Sequence, residues 1–487
     1  MKNNRRQSNE RYDLLPLREL ANQAFSRASG APLISGNQVR LLKDAKENYP
    51  AWLNAIHAAK THVHFENYII YDDETGRMFA DAFIEKAREG VSVRLIYDWL
   101  GSLGKASRRF WNILRSSGVE VRCHNPLRLD KPLGWFSRDH RKMLTVDGEI
   151  AFISGLCVGQ KWIGDPERKI EPWRDTGVEI RGSAVAKVEQ AFVRMWALTG
   201  EPFPAVELVE TTQPVGKMSL RVVATEPATA GMMRLDQLIA ALARKRLWLT
   251  DAYYAGTAAH IEALRAAARD GVDVRLLLPN TTDIPLLKPL SRVGYKPLLE
   301  SGVRVFEWNG TMLHAKTAVV DGNWARVGSS NLNIASWMGN CELDAVIEDE
   351  TFAAEMEEMY KQDLSHATEI VLDRRRRPHT AIETRLKRAA AGGSTSSAAA
   401  GALRIGHTLG TTLANRRVLG PIEARLTTVT GLLLCTLSIL FALFPGALAY
   451  PLIVLGAWGG LSMIYRGYRL AKQRKTDKHK FLQKGTR

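Results

Sequence analysis

The stretches HRKMLTVDGEIAFISG, residues 140–155, and HAKTAVVDGNWARVGSSN, residues 314–331, are two copies of one pattern. Each reads His, one residue, Lys, four residues, Asp, and reaches a turn of small residues after six more positions. The offset is 174 residues at the His, Lys and Asp positions alike. A lone His-x-Lys is uninformative, but two copies with matching downstream turns are not expected by chance. The pattern therefore predicts phosphodiester chemistry at one site shared by two halves of the chain.

The repeat extends beyond the motifs into whole structural units. GVSVRLIYDW (90–99) matches GVDVRLLLPN (271–280), and SGVEVRCHN (117–125) matches SGVRVFEWN (301–309). Strand-like and helix-like segments alternate in the same order in both halves, which favours mostly parallel sheets covered by helices. The fold class is therefore α/β, and we expect two pseudo-symmetric domains whose motifs face one active site.

Composition shifts divide the chain further. The predicted domain limits are a polar and amphipathic start (1–37), a first half (38–210), a second half (211–372), a basic low-complexity linker (373–425), a membrane hairpin (426–465) and a basic tail (466–487).

The segment 426–465 contains no charged residue, and Pro445-Gly446 divides it into two stretches of 19 residues. Each stretch is long enough, as a helix of about 28 Å, to match a bilayer core. Arginines and lysines flank both ends, so the positive-inside rule places both ends in the cytoplasm. We expect a two-helix membrane hairpin; a re-entrant hairpin and a buried helical hairpin are the alternatives.

The overall charge limits the classes of binding partner. The formal net charge is +16, which favours an anionic membrane surface or a nucleic acid. No nucleic-acid module is present, so we expect phospholipid substrates and no nucleic acid. The N-terminus has no apolar stretch typical of a secretory signal, and the four cysteines form no CxxC pair. The oligomeric state stays open.

Phosphodiester cleavage without a metal needs a nucleophile, an acid for the leaving oxygen, and fixed positive charge. Histidine can fill the first two roles, and we assign them to His140 and His314. Lys142 and Lys316 lie two residues on, which on a strand is the same face. No dense cluster of metal-ligating residues appears in the sequence, so we predict neither metal nor cofactor.

The third motif position holds an aspartate in both copies. We group Asp147 and Asp321 with the catalytic residues because they complete the motif. Each precedes a glycine at a strand end, however, where a carboxylate can fix a turn, so we interpret both as structural.

These residues resemble the phospholipase D superfamily, and its bacterial cardiolipin synthase branch in particular. The resemblance covers about residues 38–370 and includes GVSVRLIYDWLGS, DHRKMLTVDG, EPWRDTGVEIRG, HAKTAVVDG and GSSNLN. It implies a covalent phosphatidyl-histidine intermediate, with His140 as nucleophile and His314 as acid and base, although which histidine attacks stays open. It also implies that Lys142, Lys316 and Asn331 hold phosphate oxygens, assisted by Ser329.

The resemblance further implies that a downstream carboxylate orients each histidine, and Asp175 and Glu342 are the matching residues. Glu66, Asn67 and Tyr68 end a strand in a segment that resembles the family. Glu66 is assigned to substrate binding, and packing at the strand end is the alternative for all three. The first copy departs from the family pattern, because Cys157 stands where asparagine is usual. A cysteine cannot supply the two N–H donors of an amide, and we interpret Cys157 as a small buried thiol.

The leading functional interpretation is a phosphatidyltransferase that makes cardiolipin at the cytoplasmic leaflet of a bacterial inner membrane. A phospholipase D that uses water or a small alcohol is the first alternative, since acceptor choice depends on pocket shape and water exclusion. A nuclease of the same superfamily and a membrane scaffold with a decayed site are the others. Whether the second lipid is phosphatidylglycerol or phosphatidylethanolamine stays open.

Overall fold

A computed structural model describes residues 19–126, 137–203, 214–284 and 287–372, together with scattered positions between 432 and 465. The chain forms two compact units, Met1–His124 with Arg138–Asn415, and Asn125–Ser137 with Arg416–Arg487. Every strand and helix that receives a number below belongs to the first unit.

The predicted linker and tail, 373–425 and 466–487, lie outside the described residues, as does much of the predicted hairpin. The positions described between Leu432 and Tyr465 are helical apart from Phe444. Among the residues that the structure describes, no helix is both long enough and apolar enough to cross a bilayer. The membrane hairpin is therefore not confirmed.

In the described part of the chain, fifteen strands form a sheet that runs through both halves. They are β1 Ile34–Lys43, β2 His62–Asn67, β3 Ser92–Asp98, β4 Glu120–His124, β5 Lys142–Val146, β6 Ile150–Ser154, β7 Thr176–Arg181, β8 Met218–Thr225, β9 Arg246–Thr250, β10 Asp273–Thr281, β11 Arg304–Met312, β12 Thr317–Val320, β13 Trp324–Gly328, β14 Glu342–Glu348 and β15 Ala367–Ile370.

Helices cover both faces of the sheet. They are α1 19–29, α2 Asp44–Ala58, α3 Glu74–Arg88, α4 Trp99–Ser102, α5 Arg108–Ser116, α6 Gln160–Ile163, α7 Val185–Thr199, α8 Gly231–Leu242, α9 Ala258–Arg269, α10 Leu287–Val293, α11 Tyr295–Glu300 and α12 Glu350–Ser365, with a π-helical turn at Ala335–Gly339.

The strand order repeats with pseudo-twofold symmetry. The first half runs β4-β3-β2-β5-β6-β7-β1 and the second runs β11-β10-β9-β12-β13-β14-β8, with β15 added beside β11. The halves join where β1 and β8 pair in antiparallel fashion, with Ile34 opposite Leu220. The two α/β halves predicted from the repeated motif are therefore present, as parts of one sheet.

The prediction of mostly parallel sheets is wrong. Only β2-β3-β4 and β9-β10-β11 are parallel among the described strands. The motif strands turn back at once, at Asp147-Gly148 and Asp321-Gly322, where all four residues have positive φ. Two consecutive residues with positive φ form a type I′ turn, which closes a hairpin, so β5-β6 and β12-β13 are antiparallel.

A hydrophobic core common to both halves underlies this sheet. Buried residues of α7, such as Phe192, and of α12, such as Met356, pack in one continuous cluster with strands from each half. Two further clusters lie in the first and second halves separately. Because burying one such side chain contributes about 1.5–3 kcal/mol, the common cluster holds the halves in a fixed relation. That relation positions the two motifs.

Candidate active site

The two motif histidines lie in one cavity. His140 precedes β5, His314 precedes β12, and both are buried at 7% and 4% exposure. The cavity has a volume of about 420 Å³. Its walls are Tyr68, Ile69, Tyr71, Arg138, His140, Cys157, Trp162, Trp173, Tyr253, Ala255, Asp283, Ile284, His314, Asn331, Asn333, Ile334, Ala335, Ser336 and Asn340. A larger cavity of about 1070 Å³ lies beside α1, and neither histidine lines it.

Backbone hydrogen bonds attach each histidine to the opposite half. The His140 amide donates to the Cys341 carbonyl at 2.9 Å, and the Cys341 amide donates to the Arg138 carbonyl at 2.8 Å. The His314 amide donates likewise to the Arg174 carbonyl at 2.7 Å. The position of each ring therefore depends on how the halves dock.

The carboxylates also cross between the halves. Nδ1 of His140 lies 2.8 Å from Oε2 of Glu342, and Nδ1 of His314 lies 2.7 Å from Oδ2 of Asp175. A carboxylate at Nδ1 favours the tautomer that carries its proton there, which leaves Nε2 with a free lone pair. Each Nε2 is then available for attack or proton transfer, which is the arrangement that the predicted role of Asp175 and Glu342 requires.

Asp175 is completely buried and is held by hydrogen bonds to both carboxylate oxygens. The Trp162 indole donates to Oδ2 at 3.0 Å, and the Thr176 amide donates to Oδ1 at 2.9 Å. Burial opposes ionisation, but His314, Lys316 and the Trp162 hydrogen bond outweigh it and lower the pKa of Asp175. Gly155 leaves room for this carboxylate, because a Cβ there would lie 2.2 Å from Oδ1.

Glu342 is held by different partners. The Ser329 hydroxyl donates to Oε2 at 2.6 Å, and the Asn340 amide donates to Oε1 at 3.2 Å. Burial opposes ionisation here too, but His140, Lys142 and Ser329 together lower the pKa of Glu342. Ser329, assigned from the sequence to phosphate binding, is fully buried against Glu342 and is not among the cavity walls.

Burial controls the titration of both histidines. It lowers the pKa of His314 to about 4, with help from Lys316 and against the opposing effect of Asp175. It also lowers the pKa of His140, with Lys142 and Lys316 acting in the same direction and Glu342 against. Both rings are therefore neutral near pH 7 in the free protein.

The two lysines lie behind the histidines. Nζ of Lys142 donates to the His140 carbonyl and Nζ of Lys316 donates to the His314 carbonyl, and both residues are 1% exposed. Burial and the neighbouring Lys142 lower the pKa of Lys316 to about 8. Since an ammonium group has three donors, each lysine keeps hydrogen-bonding capacity for a phosphate oxygen.

Asn331 and Cys157 occupy equivalent positions, 174 residues apart, and both line the cavity. Oδ1 of Asn331 is buried and has no hydrogen-bond partner, while its amide nitrogen lies 3.5 Å from the Ser336 hydroxyl. Cys157 is 2% exposed and burial raises the pKa of its thiol. The site is therefore asymmetric at this position, with a thiol opposite an amide.

The motif aspartates do not reach the cavity. Asp147 accepts hydrogen bonds from the amides of Lys60, Thr61 and His62, and Asp321 does the same for residues 244–246. Each fixes the turn before a neighbouring strand. Their grouping with the catalytic residues is corrected, whereas their interpretation as turn-fixing carboxylates agrees with these contacts.

Glu66 also lies away from the cavity. It is 0% exposed, and its carboxylate lies 3.9 Å from Arg141 in a buried cluster with Asp139. Burial, reinforced by Asp139, raises the pKa of Glu66 well above its usual value. The assignment of Glu66 to substrate binding is not supported by this position. Tyr68, two residues further along the chain, does line the cavity.

Aromatic rings surround the two histidines. The Tyr68 ring centroid lies 4.9 Å from His140, and Trp162, Trp173 and Tyr253 lie 5.5, 5.6 and 5.7 Å from His314. Trp162 and Trp173 were missed from the sequence, because the irregular segment 160–175 has no periodicity. The segment match at EPWRDTGVEIRG was the available signal for Trp173.

The matching family is described as "Cardiolipin synthase, PLD-like domain" and covers residues 52–196 and 237–364. Cardiolipin synthase 2 of Bacillus anthracis is 33% identical over 71% of this chain and 68% of its own length. Cardiolipin synthase A of Pseudomonas fluorescens is 32% identical over 73% of this chain and 74% of its own.

Among solved structures, phosphatidylserine synthase of Haemophilus influenzae superposes with a TM-score of 0.57 at 16% identity. The match covers 72% of this chain and 91% of that one, which establishes a common fold. The chain therefore belongs to the cardiolipin synthase family, the phosphatidyltransferases of the phospholipase D type.

Proposed function

We propose that this protein is a cardiolipin synthase that moves a phosphatidyl group from one phospholipid to phosphatidylglycerol through a phosphatidyl-histidine. The observation that carries the proposal is the pair of buried histidines in one cavity, each with Nδ1 on a carboxylate of the opposite half. Two imidazoles with free Nε2 atoms supply one nucleophile and one acid-base group for the two displacements.

In the first displacement, Nε2 of His140 attacks the phosphorus of the donor lipid and the bond to the leaving glycerol oxygen breaks. His314, protonated at Nε2, gives its proton to that oxygen. In the second, His314 takes the proton of the acceptor hydroxyl, the acceptor oxygen attacks phosphorus, and the P–Nε2 bond breaks. Lys142, Lys316 and Asn331 hold the non-bridging oxygens. Each step balances, and His140 and His314 end as they began.

The aromatic surroundings favour transfer to an alcohol over hydrolysis. Tyr68, Trp162, Trp173 and Tyr253 place apolar ring surface beside the reacting histidines. Such surface favours the glycerol and ester region of a second lipid and disfavours free water at the intermediate. A phospholipase D activity remains the competing outcome of the assay.

We further propose that the protein works at the cytoplasmic face of a bacterial inner membrane and that 426–465 anchors it there. The support comes from the sequence: forty uncharged residues with basic flanks, and a net charge of +16 suited to anionic lipid. After alkaline carbonate extraction, we expect the full chain to stay with the membrane pellet. Release into the supernatant would refute the anchor.

The first test is a lipid mass-spectrometric assay on membranes that contain the full chain. They receive phosphatidylglycerol, alone and with phosphatidylethanolamine, beside His140→Ala and His314→Ala variants. Cardiolipin formed only when both histidines are intact supports the transferase and identifies the donor pair. Phosphatidic acid without cardiolipin would indicate a phospholipase, and no lipid turnover would refute the proposal.

A second assay tests the order of the two histidines. A p-nitrophenyl phospholipid has a leaving group that needs no proton, so the acid is dispensable in the first step. If His140 is the nucleophile, His314→Ala should release a stoichiometric burst of p-nitrophenol and retain the lipid covalently, while His140→Ala should release none. The reverse pattern would exchange the two roles.

A further inference from the structure

A second cluster of functional side chains lies in the first half, away from the catalytic cavity. It consists of His62 and His64 on β2 and Glu189 on α7. Nε2 of His62 lies 2.6 Å from Oε1 of Glu189, and Nδ1 of His64 lies 3.6 Å from the same oxygen. One ligand atom from each residue can be chosen so that all lie within 4.8 Å of one another. Two histidine nitrogens and a carboxylate oxygen are a ligand set that zinc accepts.

This cluster is separate from the catalytic cavity. In the β2-β5 pairing, Asn67 lies opposite Lys142, whereas Val63 lies opposite Val146. The cluster is thus four residues, about 13 Å along the strand, from the catalytic lysine. None of its three members lines the cavity. The sequence could not indicate the cluster, because 127 residues separate His62 from Glu189.

The unsatisfied group in the cluster is His64. Both of its ring nitrogens are buried without a hydrogen-bond partner, and the residue is 2% exposed. Its ring is fixed by stacking on Phe192, with centroids 4.8 Å apart and planes 7° from parallel. A buried imidazole without a close hydrogen bond costs free energy, and Nδ1 faces Glu189 only at 3.6 Å, so this arrangement favours a ligand between His64 and Glu189.

The second half supplies an internal comparison. Asp147 binds the amides of residues 60–62 and Asp321 those of residues 244–246, so Arg246 is the counterpart of His62. There Arg246 forms an ion pair with Glu357 at 2.7 Å.

The neighbouring ring stacks correspond as well. Trp248, two residues after Arg246, stacks on Tyr360, just as His64 stacks on Phe192. Glu357 and Tyr360 have the same spacing as Glu189 and Phe192. Both halves therefore place two strand side chains against a glutamate and an aromatic ring of a helix. In the first half, the imidazoles of His62 and His64 stand where the second half has the Arg246 guanidinium and the Trp248 indole.

We propose that His62, His64 and Glu189 bind one divalent transition metal ion of the zinc class, with a solvent molecule as fourth ligand. Tetrahedral zinc with bonds of 2.0–2.1 Å needs ligand atoms about 3.3 Å apart, close to the His64–Glu189 separation. The His62–Glu189 hydrogen bond opens by less than 1 Å to admit the ion. The His62 side chain is 12% exposed and provides the entry path. The nearby cation Arg94 is paired with Glu120 at 2.9 Å.

The ion would tie β2 to α7 and has no part in the transfer chemistry. The proposal does not depend on the lipid substrate, and its test needs no activity measurement.

The experiment uses the full chain in detergent, stripped with a chelator and titrated with Zn²⁺ against a chromophoric chelator. Bound metal is counted by mass spectrometry. We expect the wild type to bind one ion per chain. His64→Phe and Glu189→Gln should have no site that competes with the chelator for Zn²⁺. Glu357→Gln, the matched change in the second half, should still bind one ion. Zn²⁺ should raise the unfolding temperature of only the binding proteins.

A further variant guards against misfolding. His62→Arg combined with His64→Trp introduces the ion pair and indole of the second half, so it should fold with a cooperative melt and bind no zinc. Equal zinc binding by the wild type, His64→Phe and this double variant would overturn the proposal. The proposal would also be overturned if the wild type competed with the chelator for Zn²⁺ no better than Glu189→Gln does.

Discussion

Replacing Glu342 by glutamine tests whether a carboxylate of one half activates the histidine of the other. The exchange keeps the size of the side chain and removes its charge. Oε2 lies 2.8 Å from Nδ1 of His140. In the proposed mechanism this ring becomes positive as Nε2 bonds to phosphorus. Unit charges about 4 Å apart attract by about 4 kcal/mol at an effective dielectric constant near 20. We therefore expect kcat to fall about a thousandfold.

The assay is the initial rate of cardiolipin formation as a function of phosphatidylglycerol, which separates kcat from KM. Because the charge acts mainly after attack begins, KM should change little. Ser329→Ala removes one hydrogen bond to the same charged carboxylate, worth about 1.5–3 kcal/mol, and should lower kcat by about 10- to 150-fold, less than Glu342→Gln does. Asp344→Asn alters another buried acid of β14, held by Ser330, and controls for destabilisation.

The reasoning would be refuted by a Glu342→Gln enzyme that keeps its cooperative melt and works within tenfold of wild type. A loss no greater than that of Asp344→Asn would refute it equally.

Three further outcomes are expected. Asp321→Ala should lower the free energy of unfolding by about 2 kcal/mol in denaturant titrations, since three backbone donors lose their acceptor, while activity per folded molecule is kept. Burial lowers the pKa of His260 to about 3, so the folded protein is stable with a neutral ring above about pH 6.5 and loses stability as pH falls and the unfolded chain takes up a proton there. His260→Phe should therefore remove about 2 kcal/mol of the difference in unfolding free energy between pH 7.5 and 5.0. An unchanged difference would contradict this. The pKa of Lys316, lowered to about 8 by burial, predicts that kcat/KM declines above that pH, and Lys316→Arg should abolish the decline in a pH-rate profile.

The sequence was sufficient for features that depend on local chemistry. The Asp-Gly pairs that close the motif hairpins, and the histidines that precede them, follow from short stretches whose conformation is set within a few residues. The 174-residue repeat then predicts that the second half copies the first. No three-dimensional information is needed for these inferences.

Features that depend on how the halves dock were not predictable. The sequence indicated that Asp175 and Glu342 serve histidines, but not that each serves the opposite half, because the β1-β8 junction decides this. Glu66 and Asn67 are both buried on a strand covered on two faces, so alternation could not indicate that neither side chain lines the cavity. Ser329 lay in a matching segment, but its contact with Glu342 depends on the fold of β14.

The charges around the two histidines suit the reaction proposed above, which has to begin from two neutral rings. In the free site the two lysines carry positive charge and Asp175 and Glu342 carry negative charge, while burial keeps both histidines neutral. These six groups then sum to zero. A phosphodiester brings one negative charge into the same buried volume, where an uncompensated charge is costly. Uptake of one proton by a histidine restores neutrality and creates the acid that the first displacement requires. The substrate therefore supplies the charge that makes its own leaving group protonatable, and the other histidine stays neutral for attack.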